Sequence, residues 1–546
     1  MSLRGGAPDG PSARGPAISV AVLLWLSLLV LFALLRVGIV WRAPVAGAEL
    51  AHLSGAWQAS IGVEDDRFVP TLFQAVTALT LRGTDSEVPA RALAFAATMT
   101  VPLALYLLRR PLGEAGALFA LLLLAFDPAG IVLGATAAAM AWDGAIALWF
   151  LVALIAFRPP PWVWLPLGFF VATAGPLPLP FVAAAIALAA VRGKWSVGPA
   201  LFWGGAGVAL GVLLTSVQFG LGSDGVRVAP FELFAAAFEE PWSTATAGEL
   251  AALYGLPILA GGAAALASLG MRLRAAAERP PAPAEALTGV AAGIAALWFL
   301  LALTTHSAIP LAAATLAFSL VLGPALVRFA SLLLGARWQA ARYLLPLALV
   351  LAAIAAFVLS DWARVDRVGG AVERTLVAAP LTLAIAALSL LALRRSTAAL
   401  TAVPALAGGA VLLVAGAMGV ALSAAEEPLP SPASAAQARE LRRLALDATA
   451  EGGFVVVHER YREAITWPFR DSGTIVLASR VPPDAAFLVW PPDLTAPRGF
   501  VPVEGQWFLE RRFHPPAGFL EYVRWLGDRN SLETGLEGVA VYTRTE

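Results

Sequence analysis

The chain has 546 residues, of which 59% are hydrophobic and only 14% carry a charge, whereas soluble domains average about 25% charged residues. The formal net charge is zero, so no field attracts nucleic acid, and the lack of cysteine excludes disulfides, thiol catalysis and cysteine-ligated metal. Apolar blocks about 20 residues long, enough to cross a bilayer core, recur along the sequence. We therefore expect a polytopic protein of the cell membrane.

The N-terminal region comes first. Residues 1–17 are polar and rich in Gly and Pro, which predicts a disordered segment. Arg4 and Arg14 place this segment on the cytoplasmic side, because cytoplasmic loops carry excess Arg near helix ends. Ile18 to Trp41 is too long for the apolar core of a signal peptide and predicts a retained first membrane helix.

Arginine placement along residues 18–424 predicts about thirteen membrane helices, with the loop 42–87 on the outer side. Arg109 and Arg110 fall on the inner side, and an odd number of spans sends the C-terminus outside. One predicted outer loop, Asp361 to Arg374, departs from this pattern because it holds Arg364 and Arg367. These two residues either bind a phosphate or form ion pairs with acidic residues of their own loop.

The composition changes after the membrane region. Residues 425–435 are a predicted linker, and residues 436–546 are predicted to form a small extracytoplasmic α/β domain. ARELRRLALDA has helical spacing, and short β-branched runs such as FVVVH, TIVLAS, AFLVW and VAVYTR predict strands. In WPFRD, Arg470 lies beside aromatic residues, where it binds a sugar or pyrophosphate or forms a structural turn with Asp471.

The first outer loop concentrates polar residues directly after a long apolar helix. AELAHLSGAWQAS predicts a short helix that carries Glu49 and His52 on one face and lies in the membrane plane. Asp65 and Asp66 follow in the same loop. A partly desolvated carboxylate there gains basicity and can deprotonate an acceptor hydroxyl. The alternative role for any single acid of this loop is only to keep the loop solvated by water.

Two further charged residues stand at or within predicted spans. Asp143 lies at the outer mouth of a span, where an acid is a functional candidate or an N-cap of the following helix. Arg91 lies within the second span, where it contacts a phosphate bidentately or pairs with a loop acid such as Glu87.

Residues 31–157 resemble the opening of the GT-C superfamily of membrane glycosyltransferases, which use sugars carried on polyprenyl phosphates. The likeness rests on Ala48-Glu49 before a short helix and on Gly83 and Arg91 in LRGTDSEVPARALAFAATM. It also rests on GALFALLLLAFDP and on Asp143 in GATAAAMAWDGAIALWF. Within that superfamily, the odd span count and the tail ITWPFRDSG are most similar to the flippase-activity-associated proteins.

The resemblance implies a GT-C-like, all-α membrane domain followed by the α/β domain. It also implies transfer of a sugar from a polyprenyl-phosphate carrier to an extracytoplasmic acceptor, with inversion, in glycosylation of the cell envelope. Glu49 is the predicted base, and three aspartates support it or hold a divalent cation: Asp65, Asp66 and Asp143. Predicted substrate contacts are His52, Arg91, Arg364, Arg367 and Arg470.

One departure from the family pattern keeps an alternative open. Ala48 stands where the family carries the first Asp of its acidic pair, the residue most often assigned as the base. The alternative is a GT-C-like protein that has lost catalysis and handles lipid-linked sugars or scaffolds an envelope-glycan complex. A secondary transporter is a third hypothesis, although no pair of broken-helix repeats supports it.

Overall fold

The computed structural model describes residues 20–42, 48–60, 72–84, 86–127, 164–173, 197–218, 435–450, 452–461, 475–495, 497–505, 507–513 and 534–544. Shorter pieces are described at 45, 130–131, 134–137, 142, 144–146, 148–149, 152, 162, 180, 293–294, 297, 317, 319–324, 326–327, 412, 467 and 469–470. The predicted disordered N-terminus and most of the predicted spans lie outside these residues.

Helices dominate the described part of the membrane region. Two helical stretches there, Val20–Arg42 and Val88–Leu112, are long and apolar enough to cross a membrane. The helices are α1 (Val20–Arg42), α2 (Ala48–Ser60), α3 (Leu72–Leu81), α4 (Val88–Met99), α5 (Val101–Leu112), α6 (Glu114–Phe126), α7 (Trp164–Thr173), α8 (Val197–Gln218) and, nearer the C-terminus, α9 (Ala435–Thr449).

The second of these stretches is two helices joined at Thr100. Thr100 keeps a helical backbone conformation, and its N–H bonds back to Ala97 and Thr98. Pro102 lies in the first turn of α5, where a missing N–H is tolerated. The chain therefore continues in nearly one direction from α4 into α5.

Side-chain contacts fix the relative directions of α1, α4 and α6. Trp25, near the start of α1, donates to Glu114 at the start of α6 (2.8 Å). Arg91, near the start of α4, donates to the carbonyl of Val40 near the end of α1 (3.2 Å). Thus α6 runs parallel to α1 and α4 runs antiparallel to it, which is the alternation that the arginine pattern predicts for these segments.

A buried arginine within α1 closes the end of α6. Arg36 is 1% exposed and donates to the carbonyls of Leu124 (2.7 Å), Ala125 (3.3 Å) and Gly130 (3.1 Å). The last carbonyls of a helix lack partners within it, and a cation there also complements the helix dipole. Asp127 ends α6 and accepts the N–H of Gly130 (2.8 Å), so Arg36 and Asp127 together shape the turn.

Helices α7 and α8 pack closely through glycines. Trp164 lies beside Gly204 and Ala172 lies beside Gly211, so the two helices run parallel. A Cβ atom built on Gly207 would overlap the carbonyl oxygen of Leu165. Small residues of this kind let helix backbones approach each other in membrane proteins.

The C-terminal part contains a sheet of order β2-β1-β3-β6-β4, with β5 also paired to β6. β1 pairs in parallel with β2 and β3, whereas β6 pairs antiparallel with β3, β4 and β5. Leu441 and Ala445 of α9 share a buried core with Val455 and Phe487. The strands are β1 (Phe454–Val457), β2 (Ile475–Leu477), β3 (Ala485–Trp490), β4 (Phe500–Pro502), β5 (Trp507–Phe513) and β6 (Thr534–Arg544).

The four β-branched runs FVVVH, TIVLAS, AFLVW and VAVYTR coincide with β1, β2, β3 and the second half of β6. ARELRRLALDA lies within α9. The domain boundaries and the extracytoplasmic location of this part stay predictions.

The glycine packing between α7 and α8 gives a stability prediction. Gly207→Ala should destabilise the protein by about 1–3 kcal/mol, the usual cost of overpacking. Gly205→Ala is the matched control, because a Cβ there meets no atom within 4 Å and Ala favours a helix by about 1 kcal/mol over Gly. Thermal unfolding of both purified variants in detergent checks this, and a lower midpoint for Gly205→Ala alone would contradict it.

Candidate functional site

The candidate site is built on α2, the short helix that follows α1. Its bounds, Ala48–Ser60, are those of the predicted stretch AELAHLSGAWQAS. However, the face of α2 that carries Glu49 and His52 is not open to solvent, because these side chains are only 1% and 8% exposed. Leu50 and Leu53 share a core with Ala78 and Leu81, so α3 covers α2.

Glu49 forms a fully buried ion pair with Arg91. Its Oε1 accepts from Arg91 Nε and its Oε2 from Arg91 Nη2, both at 2.7 Å, and each side chain is 1% exposed. Oε1 also accepts the N–H of Ala137 at 2.6 Å. This bidentate geometry is the strongest form of Arg–carboxylate contact. The carboxylate therefore joins α2 to α4 and to the segment that follows α6.

The pairing bears on two predicted roles. Arg91 donates from Nε and Nη2 to Glu49 and from Nη1 to the carbonyl of Val40. These bonds engage the guanidinium within the protein. Glu49 already accepts three hydrogen bonds and would have to give some of them up to take a proton from a substrate. The geometry describes a group that holds α2 against α4 and Ala137.

His52 lies one turn further along α2, against α3. Its Nε2 is 3.1 Å from Thr77 Oγ1, and its ring stacks on Phe73 with centroids 4.8 Å apart. Thr77 donates its own hydroxyl proton to the Phe73 carbonyl (2.9 Å), so Nε2 of His52 carries the proton and donates. Burial lowers the pKa of the His52 imidazole from 6.5 to about 3, because desolvation disfavours the charged form.

An aromatic layer extends from His52 towards the residues after α6. Phe73 contacts Trp142 with ring centroids 5.7 Å apart at an angle of 37°. Trp142 and Ala137 both belong to the chain after α6, and Ala137 is held by Glu49. The site thus gathers α2, α3, α4, Ala137 and Trp142.

The C-terminal part contributes a residue to this site. Trp467 is 2% exposed and lies in the same core as Leu50 and Leu53. Its backbone N–H donates to Ser54 Oγ of α2 at 3.2 Å. Arg470 stacks on the Trp467 ring at 4.0 Å and donates to its carbonyl at 2.9 Å, so this arginine buttresses the tryptophan.

The remaining predicted site residues lie outside the described residues: Asp65, Asp66, Asp143, Arg364 and Arg367. Among the described residues, no group of three or more His, Asp and Glu side chains stands together as a metal site.

Sequence reasoning missed Arg36 and the contact of Trp467 with α2. A lone arginine inside a long apolar run is itself a signal, because such charges face the protein interior. The contact of Trp467 with Ser54 spans 413 residues of sequence, and no local pattern indicates it.

Comparisons with known proteins show the fold. Neither a protein-family model nor a curated protein matches the sequence. Among solved structures, ArnT from Cupriavidus metallidurans in the apo state matches with a TM-score of 0.53 and 16% identity, over 96% of this chain and 98% of that one. ArnT from the same organism bound to undecaprenyl phosphate matches with a TM-score of 0.51, the same identity and the same coverage.

The chain is similar in fold to ArnT. This likeness concerns the fold alone, and the resemblance to the GT-C superfamily stays a prediction. The narrower resemblance to flippase-activity-associated proteins and the count of about thirteen spans stay predictions.

The buried ion pair gives a second stability prediction. Glu49→Gln leaves Arg91 buried without a counter-charge, and breaking such a pair costs about 3–5 kcal/mol. The matched control is Glu440→Gln, which removes the acid of an exposed pair with Arg443 and should change stability little. Thermal unfolding in detergent measures both, and equal effects of the two substitutions would contradict the role given to Glu49.

The low pKa of His52 predicts an effect of pH. The folded protein keeps His52 neutral down to about pH 3, whereas the unfolded chain protonates it near pH 6.5. Because the unfolded state then binds more protons, the free energy of unfolding falls as pH falls below 6.5, by about 2 kcal/mol at pH 5. His52→Gln removes this contribution, so its stability deficit against wild type should shrink between pH 7 and pH 5. A deficit that stays constant in pH-dependent unfolding would contradict a neutral buried His52.

Proposed function

We propose that the chain is a membrane glycosyltransferase that takes a sugar from a polyprenyl-phosphate carrier and transfers it to an acceptor on the outer side of the membrane. The observation that carries this proposal is the likeness in fold to ArnT over 96% of the chain. ArnT itself is seen bound to undecaprenyl phosphate. The buried site on α2 supports it, because it organises the first predicted outer loop.

In this proposal Glu49 and Arg91 position the loop, and the base is an aspartate. Asp143 follows Trp142, whose ring contacts Phe73 beside His52, so we place it first among the candidates. Asp65 and Asp66 come next. The base takes the proton of the acceptor hydroxyl as the acceptor oxygen bonds to the sugar, and the bond from the sugar to the phosphate breaks, which releases the polyprenyl phosphate. Arg364 and Arg367 are proposed contacts of that phosphate.

A second candidate function has its own support. Ala48 replaces the acid most often assigned as the base in the resembled family, and the neighbouring Glu49 is held by Arg91 and Ala137. A protein with this arrangement can hold a lipid-linked sugar, or scaffold an envelope-glycan complex, without transferring the sugar.

Substitution of the aspartates in the source cells separates the two functions. Asp143→Asn should lower glycosyl transfer by roughly 10²–10⁴-fold, the usual contribution of a general base. Mass spectrometry of the lipid fraction should then show accumulation of the polyprenyl-phosphate-linked sugar, as in a deletion strain. Asp65→Asn and Asp66→Asn are tested beside it, with Glu440→Gln as the exposed control.

The outcomes differ for the two functions. Accumulation in the deletion strain and in one of the aspartate variants, at normal protein level, supports the enzyme. Accumulation in the deletion strain but in none of these variants favours the non-catalytic protein. No change in any polyprenyl-phosphate-linked sugar after deletion would contradict both.

A further inference from the structure

Two buried polar atoms in the segment after α6 lack hydrogen-bond partners within the structure that is described. These are Oγ1 of Thr136 and Nε1 of Trp142. Thr136 is 1% exposed, and Trp142 is partly exposed while its indole nitrogen is covered. Most buried polar groups in proteins are bonded, and an unpaired one costs free energy. Both atoms are therefore candidates to bond a group from outside the described part of the chain.

Both residues are held in place by the candidate site. Thr136 directly precedes Ala137, whose N–H bonds to Glu49 at 2.6 Å. The ring of Trp142 lies against Phe73, which stacks on His52. The residue that follows Thr136 and the ring of Trp142 are thus both anchored by the candidate site.

The charges around these atoms indicate what kind of group they would bind. His52 is neutral above about pH 3, and the charge of Arg91 is balanced by Glu49 at 2.7 Å. The described surroundings therefore offer neutral donors and an aromatic face, with no net positive charge. This set suits the hydroxyl oxygens and C–H face of a sugar better than it suits a phosphate, which favours charged donors.

We propose that Thr136 and Trp142 bind the sugar of the polyprenyl-phosphate-linked donor. The indole N–H donates to one sugar oxygen, the Thr136 hydroxyl bonds to another, and the partly exposed Trp142 ring packs on the sugar. This inference rests on the proposed function and assigns the sugar-recognition part of the same site.

Two single substitutions test the proposal in the full-length protein in lipid nanodiscs. Trp142→Phe removes the N–H and keeps an aromatic ring, while Thr136→Val removes only the hydroxyl. The probes are undecaprenyl phosphate carrying mannose or glucose, and undecaprenyl phosphate without sugar. Each substitution should weaken binding of a sugar-bearing probe about fivefold, the effect of one ordinary hydrogen bond, and leave binding of the sugar-free lipid unchanged.

A matched control is available in Trp149. Its indole N–H already donates to Thr100 Oγ1 at 3.0 Å. Trp149→Phe should lower the unfolding midpoint without lipid and leave the affinity for every probe unchanged. Thr136→Val should instead unfold at or above the wild-type midpoint, because it keeps the side-chain volume and removes an unpaired buried hydroxyl.

The possible results separate this inference from the proposed function. Unchanged affinities in both variants, as expected if ordered water alone bonds the two atoms, overturn the inference. Equal weakening of the sugar-bearing and sugar-free probes also overturns it, because the contact is then with the phosphate. If wild type binds the sugar-free lipid but gains nothing from the sugar, the inference fails alone, and if wild type binds no probe, the proposed function fails with it.

Discussion

The buried pair of Glu49 and Arg91 is the interaction on which the described membrane region depends. It ties α2 to α4, reaches the end of α1 through Val40, and holds the chain after α6 through Ala137. Either charge alone in this position would be costly, because desolvating an ion without its partner takes several kcal/mol. The pair is therefore satisfied only when four parts of the chain meet, which selects one arrangement of α1, α2, α4 and Ala137.

Arg36 supplies a second fixed point for the same segment. It holds Gly130 by its carbonyl (3.1 Å), and Glu49 holds Ala137 by its N–H (2.6 Å). Two buried charges thus set both ends of a stretch of eight residues that leads to Trp142. The ring of Trp142 in turn contacts Phe73, which belongs to α3. Gly130 and Ala137 thus acquire defined positions because their backbone groups bond to charged side chains on neighbouring helices.

Local features could be predicted from the sequence, and long-range partners could not. The stretch AELAHLSGAWQAS predicts α2 to its bounds, and the β-branched runs predict β1, β2 and β3. For Arg91, pairing with a loop acid was one of the predicted roles, but the partner is Glu49, 42 residues away, rather than the nearby Glu87. Local spacing does not distinguish between acids brought close by the fold. Strand β5 was missed because Glu510, Arg511 and Arg512 interrupt its apolar residues, while its pairing with β6 uses backbone groups that carry no residue signature.

The position of Trp467 has a consequence for how the protein matures. Leu50 and Leu53 belong to the first tenth of the chain, yet the tryptophan that completes their core is residue 467 of 546. During synthesis α3 can pack on this surface early, but Trp467 reaches it only after the ribosome has made more than 400 further residues. A chain that ends before Trp467 therefore lacks both the tryptophan of this core and the hydrogen bond to Ser54.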